Sequence, residues 1–532
     1  MSSNIKASNA TKPRKRFIGS KHATPTKHGM SSIVANQIPE DILTDVQLNA
    51  AIKQLPSNYS FEIHKTIHHV RKNNAQMVAL QMPEGLQMFA CTIADIIERF
   101  TDALTVIMGD VTYGACCIDD YTAVALGCDM LVHYGHSCLV PIDQTTIKTL
   151  YVFVEIAIDS SHLGQTIRLN FPNDRRRFHE ALLDSEETDK DIPAGNPLTR
   201  GTHLRIEGPD SSHEMNDTGV DSPNGLLSSY EPTRLALVST IQFVAALSRL
   251  KDDLTVEYVD PQLAPTRIIE GSSNAVQQTS AVGRPRLWTG KYDATIPRSK
   301  PLSPGEILGC TAPQLGDVDA LIYLGDGRFH LESIMIANPS VPAFRYDPYS
   351  KKLTRERYNH TEMRTIRDQA VRTARQSIDA FSSSPSPIGD MAVSSQNNTL
   401  LWGVVLGTLG RQGSFRQLQA ITHQLSTSRT QIPYMPILLS ELSPAKLALF
   451  SPHIAAFVQT SCPRLSIDWG YAFDKPLLTP YETAVAVGKA VGWMDDSHAD
   501  ETSESGARKD AYRMDFYEAG SPWAVARAKA AY

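Results

Sequence analysis

The sequence lacks several features that would assign its class at once. It has no uninterrupted apolar run of about 18 residues, the length that crosses a lipid bilayer, so we predict no membrane span. Its seven cysteines are too few and too scattered among 532 residues for a disulfide framework. An odd number of cysteines indicates free thiols in a reducing compartment. Aromatic residues reach 7% and charged residues 20%, as in ordinary soluble globular proteins.

An excess of positive charge is also missing. The net charge of −6 leaves no reason to expect a basic surface, so we predict no nucleic-acid partner. The N-terminal residues have no apolar core of the kind found in secretory signals, which favours a cytoplasmic protein. Residues 1–39 carry seven Lys/Arg and no Asp or Glu, and they have too few apolar side chains to fold on their own.

Short apolar stretches alternate with helical ones over 40–490, a pattern typical of βαβ units. Gln76–Gln81, Met130–His133 and Thr255–Val259 predict strands, and Leu86–Phe100 has apolar residues at helical spacing. The rhythm occurs three times along the chain. We therefore predict an α/β fold of three related modules, each a small parallel sheet of about four strands flanked by helices, arranged around a shared central site.

The predicted segments differ in composition. Stretches that mix charge with Pro, Gly and Ser predict loose insertions, and apolar residues at helical spacing from Met363 to Ile378 predict a bridging helix. The predicted segments are a disordered basic tail (1–39), module one (40–160), a loose insertion (161–231), module two (232–350) with a second loose insertion (263–303), the bridging helix and a linker (351–397), module three (398–490) and a mobile C-terminal extension (491–532).

Three cysteines, Cys116, Cys310 and Cys462, each lie in a polar loop near a predicted strand end, one in each module. In doubly wound sheets ligands gather beyond the carboxyl ends of the strands, so three such loops can converge. Three thiolates would hold a four-iron cubane and leave one iron open for chemistry. The alternative is three unrelated buried cysteines. Cys117 would point away from Cys116 in extended backbone.

A second candidate site is the segment from His133 to Cys138. His133, His136 and Cys138 supply two imidazoles and a thiol, which are zinc ligands, although their spacing matches no common closed zinc motif. A zinc-stabilised α/β adaptor therefore stays open as an alternative. Two glycine-bearing loops are further candidates: backbone N–H groups in 407–414 can hold a carboxylate, and Arg328 in 325–330 can bind one through two hydrogen bonds. The alternative is that each loop is only a tight turn.

Six motifs, in fixed order from about residue 75 to 485, resemble those of the diphthamide biosynthesis subunit 1 family, the eukaryotic 2-(3-amino-3-carboxypropyl)histidine synthases. The motifs are YGACCIDD, HYGHSCLVP, ILGCTAP, GDGRFHLE, GTLGRQGS and SCPRLSIDWG. The resemblance implies a three-domain fold with one thiolate per domain, Cys116, Cys310 and Cys462, on a [4Fe-4S] cluster. The radical-enzyme signature CxxxCxxC is absent, which fits a noncanonical radical S-adenosylmethionine family.

The resemblance also implies a transferase. Family members move a 3-amino-3-carboxypropyl group from S-adenosylmethionine to a histidine of elongation factor 2, the first step of diphthamide biosynthesis. The implied partners are a homologous second subunit in a heterodimer, a small electron-donor metalloprotein and elongation factor 2. A noncatalytic homologous subunit is the alternative, and retention of all three cysteines argues against it.

The remaining candidate residues have two expected roles. Candidates for binding the methionine carboxylate of the co-substrate are Arg328, Arg411, Gln412 and Arg464. Candidates for catalytic contact with the acceptor, or for proton relay, are His133, His136 and His330.

Overall fold

The computed structural model describes most of the chain, over residues 38–109, 118–135, 139–140, 144–188, 204–206, 230–258, 287–383, 400–494 and 511–528. The predicted tail up to residue 37, more than half of each predicted insertion and most of the predicted linker lie outside the described residues. Four residues singled out above also lie outside them: Cys116, Cys117, His136 and Cys138.

The first sheet has four parallel strands in the order β3-β2-β4-β5. Its central strands are buried on both faces, as parallel strands covered by helices must be. Ile67 and Ile93, from two flanking helices, pack on one face against Val78 and Val132. The elements are α1 Glu40–Leu43, α2 Val46–Ile52, β1 Tyr59–Ser60, α3 Ile63–Asn73, β2 Met77–Gln81, α4 Glu84–Gln87, α5 Ala90–Phe100, β3 Leu104–Ile107, α6 Asp120–Ala125, β4 Met130–Tyr134 and β5 Lys148–Val152.

The second sheet has six strands in the order β7-β12-β11-β10-β8-β9. Strands β11, β10, β8 and β9 are parallel, whereas β12 and β7 add an antiparallel edge. The elements are β6 Glu155–Ile156, α7 Ser160–Asn170, α8 Arg175–Thr188, β7 Leu204–Ile206, β8 Arg234–Ser239, α9 Val244–Thr255, β9 Asp293–Thr295, β10 Ala320–Leu324, α10 Phe329–Ala337, β11 Ala343–Asp347 and β12 Lys352–Glu356.

The third sheet has four parallel strands in the order β14-β13-β15-β16. Short 3₁₀ turns at Ile241–Phe243 and Gly470–Ala472 accompany the second and third sheets. The elements are α11 His360–Ser383, β13 Leu401–Gly407, α12 Phe415–Ser426, β14 Tyr434–Leu439, α13 Pro444–Ala448, β15 Ile454–Gln459, α14 Pro463–Trp469, β16 Leu477–Leu478, α15 Pro480–Ala486 and α16 Pro522–Ala528.

Helix α11 joins the second sheet to the third, and it spans the stretch in which helical spacing predicts a bridging helix. Met363, Val371 and Ala374 on its apolar face are buried in a core shared with both sheets. Arg367 on the same helix is 1% exposed and pairs with fully buried Glu482, with a 2.7 Å bond from Nε to Oε1. A charge in such a place is tolerated only with a partner, so this pair fixes the helix against α15.

The α/β class is confirmed, but the structure differs from several details of the prediction. The expected loose insertion 161–231 begins with helices, because Leu163 and Ile167 form an apolar face that packs into the core of the second sheet. The insertion expected at 263–303 contributes strand β9. The second sheet therefore has six strands, where about four were expected. Within the described residues, no helix combines the length and apolar content needed to cross a membrane.

Two further predictions are wrong. The strand predicted at Thr255–Val259 does not form over the described residues 255–258: helix α9 runs to Thr255, and beyond it only an isolated bridge joins Tyr258 to Gly290. The extension 491–532, expected to be mobile, has an ordered part at 511–528. Its buried side chains Tyr512, Met514, Phe516 and Trp523 join the core shared by the second and third sheets.

Candidate metal centre

Cys310 lies in a tight turn beyond the carboxyl end of strand β8. The chain from Gly305 to Ile307 pairs in parallel beside the end of that strand, with Ser239 N–H donating to Gly305 O at 2.8 Å and Ile307 N–H donating to Ser239 O at 3.1 Å. The turn closes through reciprocal backbone bonds between Leu308 and Thr311. Cys310 is 4% exposed. The thiol therefore lies at the carboxyl edge of the second sheet, where ligands gather in doubly wound sheets.

Gly309 lets this turn approach helix α10. A Cβ atom at position 309 would fall 2.1 Å from the ring of Phe329, so no larger residue fits without moving that ring. Ser333, one turn further along the helix, donates its hydroxyl to Leu308 O at 2.6 Å. The Cys310 turn is therefore fixed on the first turns of α10.

Cys462 lies at the carboxyl end of strand β15, immediately before helix α14. It is the N-cap residue, and Pro463 begins the helix, where a missing N–H costs nothing. The Gln459 side chain donates to Cys462 O at 3.0 Å and also bonds Ser466 Oγ at 3.1 Å. This amide holds the strand end to the helix start and so fixes the backbone that carries the thiol.

The two thiols lie close enough for Cys462 to affect the ionisation of Cys310. Burial raises the pKa of Cys310 to about 12, and the neighbouring Cys462 adds to the rise. Burial likewise raises the pKa of Cys462 to about 11. Both thiols are therefore protonated at neutral pH in the metal-free chain. A bound cation would reverse this preference, because metal ligation requires the thiolate.

Cys116 itself lies outside the described residues, but the chain that follows it contacts the third sheet. Arg411 N–H, in the loop after β13, donates to Ile118 O at 2.9 Å. Gly410 in that loop has φ +56°, and a Cβ atom there would lie 2.8 Å from the same oxygen. The chain two residues beyond Cys116 is thus packed against a loop at the carboxyl edge of the third sheet.

The Arg411 side chain holds the same junction. Its guanidinium bonds both oxygens of Asp120 at 2.7 Å and lies 4.7 Å from the centre of the Tyr121 ring. Burial acts to raise the pKa of Asp120, but hydrogen bonds from Arg411 and Thr146 hold it below its usual value. Arg411, expected to bind the co-substrate carboxylate, already binds a carboxylate of the protein.

Arg464 joins the Cys462 loop to the second sheet. It is 1% exposed, donates to Phe329 O at 2.5 Å and pairs with Glu332 at 2.6 Å and Asp468 at 2.9 Å. Its guanidinium also lies 4.5 Å from the centre of the Phe329 ring, the same ring on which the Cys310 turn packs. Arg464 therefore links the surroundings of the two cysteines.

Arg328 and His330 lie at the start of α10, beside that ring. Arg328 donates to Arg357 O at 2.9 Å, and its Nε lies 3.4 Å from Glu356 and 3.6 Å from Glu332. These ionic contacts are longer than those of Arg411 and Arg464. The His330 ring packs edge-on against Phe329 with 5.4 Å between ring centres.

The other predicted site residues lie around the first and third sheets. His133 is 1% exposed at the end of β4, with its ring edge-on to Tyr151 at 5.8 Å. Gln412 follows Arg411, and its side-chain oxygen lies near Gly407. The zinc alternative cannot be assembled from the described residues, because His136 and Cys138 are not among them. In the part that is described, no group of three or more His, Cys, Asp or Glu is placed to hold a metal.

One functional neighbour was not predicted from the sequence. The segment 511–528 contacts both cysteine loops, and the charge of its Arg527 acts on Cys310. The aromatic residues of the segment were the available signal, since four Tyr, Phe or Trp within 12 residues are unusual for a mobile tail. They are Tyr512, Phe516, Tyr517 and Trp523.

Comparison with known proteins identifies the family of this chain. The model of the diphthamide synthesis protein family matches residues 82–183, 220–381 and 390–498, well over half of the chain. The chain belongs to this family. The resemblance carried by the six motifs is thereby confirmed, and all three candidate cysteines fall within the matched residues. The segment 511–528 lies beyond them.

Curated relatives in the family share one name, 2-(3-amino-3-carboxypropyl)histidine synthase subunit 1. The Gallus gallus protein is 45% identical over 92% of this chain and 88% of its own length. The Homo sapiens protein is 44% identical, over 92% and 83%. The Schizosaccharomyces pombe protein is 41% identical, over 96% and 92%.

Solved structures give a weaker likeness. Crystal structures of Dph2 from Pyrococcus horikoshii, one of them with a 4Fe-4S cluster, are 17% identical to this chain. Each alignment covers 81% of this chain and 91% of the other, with TM-scores of 0.47 and 0.48.

Proposed function

We propose that this chain is a catalytic subunit of a 2-(3-amino-3-carboxypropyl)histidine synthase. It transfers the 3-amino-3-carboxypropyl group of S-adenosylmethionine to a histidine of elongation factor 2, the first step of diphthamide biosynthesis. The observation that carries the proposal is that half-buried Cys462, beside the third sheet, lies near enough to act on the buried thiol of Cys310, beside the second sheet, in a chain whose relatives bear that enzyme's name.

The donor set fits an iron–sulfur centre. Buried Cys310 lies near half-buried Cys462, and sulfur ligands select iron–sulfur clusters over hard cations. We assign Cys116 as the third ligand, because the chain just after it packs on the third sheet through Arg411. When bound, a reduced [4Fe-4S] cluster supplies the electron that cleaves a carbon–sulfur bond of S-adenosylmethionine.

The four co-substrate candidates divide according to their existing partners. Arg411 and Arg464 already hold carboxylates at 2.6–2.9 Å, so we assign them to positioning the loops that carry the cysteines. The Arg328 Nε is buried and makes no hydrogen bond to any described residue, and its ion pairs with Glu356 and Glu332, at 3.4 and 3.6 Å, are longer than those of Arg411 and Arg464. Arg328 is therefore our first choice for the methionine carboxylate, and we keep Gln412 as a second polar candidate.

The histidines serve the acceptor side in this proposal. We assign His133, His136 and His330 to contact with the acceptor imidazole or to removal of its proton, as imidazoles suit proton transfer near neutral pH. An aromatic C–H carbon is a poor nucleophile, which is why radical chemistry suits this acceptor. The chain would hold the reacting groups and exclude water, and the burial of Cys310 serves that purpose.

The proposed partners follow from the proposed synthase activity. Relatives are named as subunit 1, which supports an assembly with a homologous second subunit. A small electron-donor metalloprotein would reduce the cluster, and elongation factor 2 is the protein substrate. We place the reaction in the cytoplasm, without nucleic acid, in keeping with the net charge of −6.

The test uses S-adenosylmethionine labelled in its carboxyl carbon. The chain, its partner subunit and elongation factor 2 are incubated anaerobically with dithionite, and label in the factor is counted. Wild type and Cys91→Ala, a control at an exposed cysteine, should transfer label, whereas Cys310→Ala should transfer none. Full transfer by Cys310→Ala would remove that residue from the site. Equal transfer by the partner alone would make this chain a noncatalytic subunit.

A further inference from the structure

The ordered C-terminal segment 511–528 lies across both cysteine loops. On the Cys310 side, Ala312 N–H donates to Met514 O at 2.9 Å, and Tyr517 N–H donates to Thr311 Oγ1 at 3.0 Å. The Tyr517 side chain packs on the small apolar cluster that contains Cys310. The segment therefore contacts the two residues that follow this cysteine.

On the Cys462 side the contacts come from Arg527. Its Nη2 donates to Thr460 O at 3.1 Å, and its Nη1 lies 3.5 Å from Gln412 O. The guanidinium lies 4.3 Å from the centre of the Tyr517 ring. One cation thus spans the loop before Cys462, the loop after strand β13 and the aromatic residue that packs beside Cys310.

Arg527 is held in this place by the rest of the segment. Trp523 is buried and donates its indole N–H to Asp515 at 2.9 Å. Tyr512 donates its hydroxyl to the buried Glu482 at 2.9 Å, and helix α16 packs on α12. A side chain with this support keeps its charge at a fixed position.

No protein carboxylate is within ion-pairing distance of Arg527 among the described residues. Its Nη atoms bond backbone carbonyls, while its Nε is buried without a hydrogen-bond partner in the described part of the chain. The other cations around the site, Arg411 and Arg464, are neutralised by Asp120, Glu332 and Asp468. The positive charge of Arg527 is therefore not offset by a described carboxylate, and it favours the thiolate form of Cys310.

We propose that Arg527 is a positioning residue of the metal centre: a fixed cation that clamps the Cys310 and Cys462 loops together and offsets the negative charge of their thiolates. The inference rests on the proposed function, since it assumes an iron–sulfur cluster on these cysteines. A nearby positive charge stabilises the more negative, reduced state of a cluster, and so raises its reduction potential. The segment would thereby make the cluster easier to reduce.

The experiment compares Arg527→Gln, which keeps polarity and loses charge, with Arg527→Lys, which keeps charge. Arg513→Gln is the matched control, an exposed arginine on the same segment that pairs with Asp515. Each full-length protein is reconstituted anaerobically, assayed for iron and sulfide, and titrated with reductant while the reduced cluster is followed by electron paramagnetic resonance.

We expect a more negative midpoint potential for Arg527→Gln, recovery in Arg527→Lys and no change in Arg513→Gln. An Arg527→Gln potential equal to that of the wild type would overturn the proposal. If Arg527→Gln binds no cluster, iron binding by Arg527→Lys supports the role of charge, and equal loss in both variants refutes it. A wild-type protein without iron and sulfide would instead overturn the proposed function, and this inference with it.

Discussion

The contact between Arg411 and Asp120 gives a prediction whose size follows from the structure. Asp120 is fully buried, Arg411 is 17% exposed, and two bonds of 2.7 Å join them. Asp120→Asn removes the charge but keeps the volume, and one oxygen stays available to Thr146 N–H. Breaking a buried pair by removing one partner costs about 3–5 kcal/mol. Because Arg411 keeps some contact with water, we expect Asp120→Asn to lower the free energy of unfolding by about 3 kcal/mol, the lower end of this range.

The loss of stability should be local, since the Arg411–Asp120 pair joins the chain after Cys116 to the loop after strand β13. Hydrogen exchange at pH 7 measures the free energy of opening for amides 118–125. The variants are Asp120→Asn, Arg411→Gln and the double variant. Removing both partners should cost less than the sum of the single losses, because no unpaired charge then stays buried.

The pH dependence has a defined sign. The folded-state pKa of Asp120 is lowered, so the pair stabilises the protein above the ordinary aspartate pKa, and this stabilisation is lost as pH falls through the lowered value. Glu441→Gln, which removes an exposed carboxylate paired with Lys446, is the control and should leave exchange unchanged. If Asp120→Asn exchanged like the wild type, the junction would not depend on this pair.

Three further predictions concern other parts of the fold. Gly309→Ala should lower iron binding severalfold, because its Cβ must displace the Phe329 ring. Gly316→Ala is the control and should bind iron normally, since nothing lies within 4 Å of its Cβ; iron analysis of both variants tests this. Glu482→Gln should destabilise the protein by about 3–5 kcal/mol in urea unfolding, because it strands a buried arginine, and a change below about 1 kcal/mol would contradict this. Burial lowers the pKa of His360 to about 4, so the stability tied to its neutral form should be lost as pH falls from about 6.5 through 4; His360→Asn should flatten this part of the pH–stability curve.

The parallel strands were predictable because each is a short apolar run buried on both faces. Val78–Leu80 and Ala320–Leu324 illustrate the pattern, since every residue in them is buried. Thr255–Val259 failed for a local reason. Its β-branched residues suit a strand, but Leu254 anchors α9 in the core, and the helix continues to Thr255.

The cysteine site was predictable in part. The positions of Cys310 and Cys462 in strand-end loops suggested that the two would lie near each other, and in the structure Cys462 is near enough to act on the Cys310 thiol. The partners of Arg411 and Arg464 could not be predicted, since Asp120 and Glu332 come from distant elements that meet only on folding. The same holds for Arg527, whose role depends on where the C-terminal segment packs.

Iron and sulfide analysis of the anaerobically purified protein tests the central claim most directly. The proposal predicts about four irons with matching sulfide in the wild type and in Cys117→Ala, and loss of both in Cys116→Ala, Cys310→Ala and Cys462→Ala. One zinc per chain, or clusters retained after loss of Cys310 or Cys462, would contradict it.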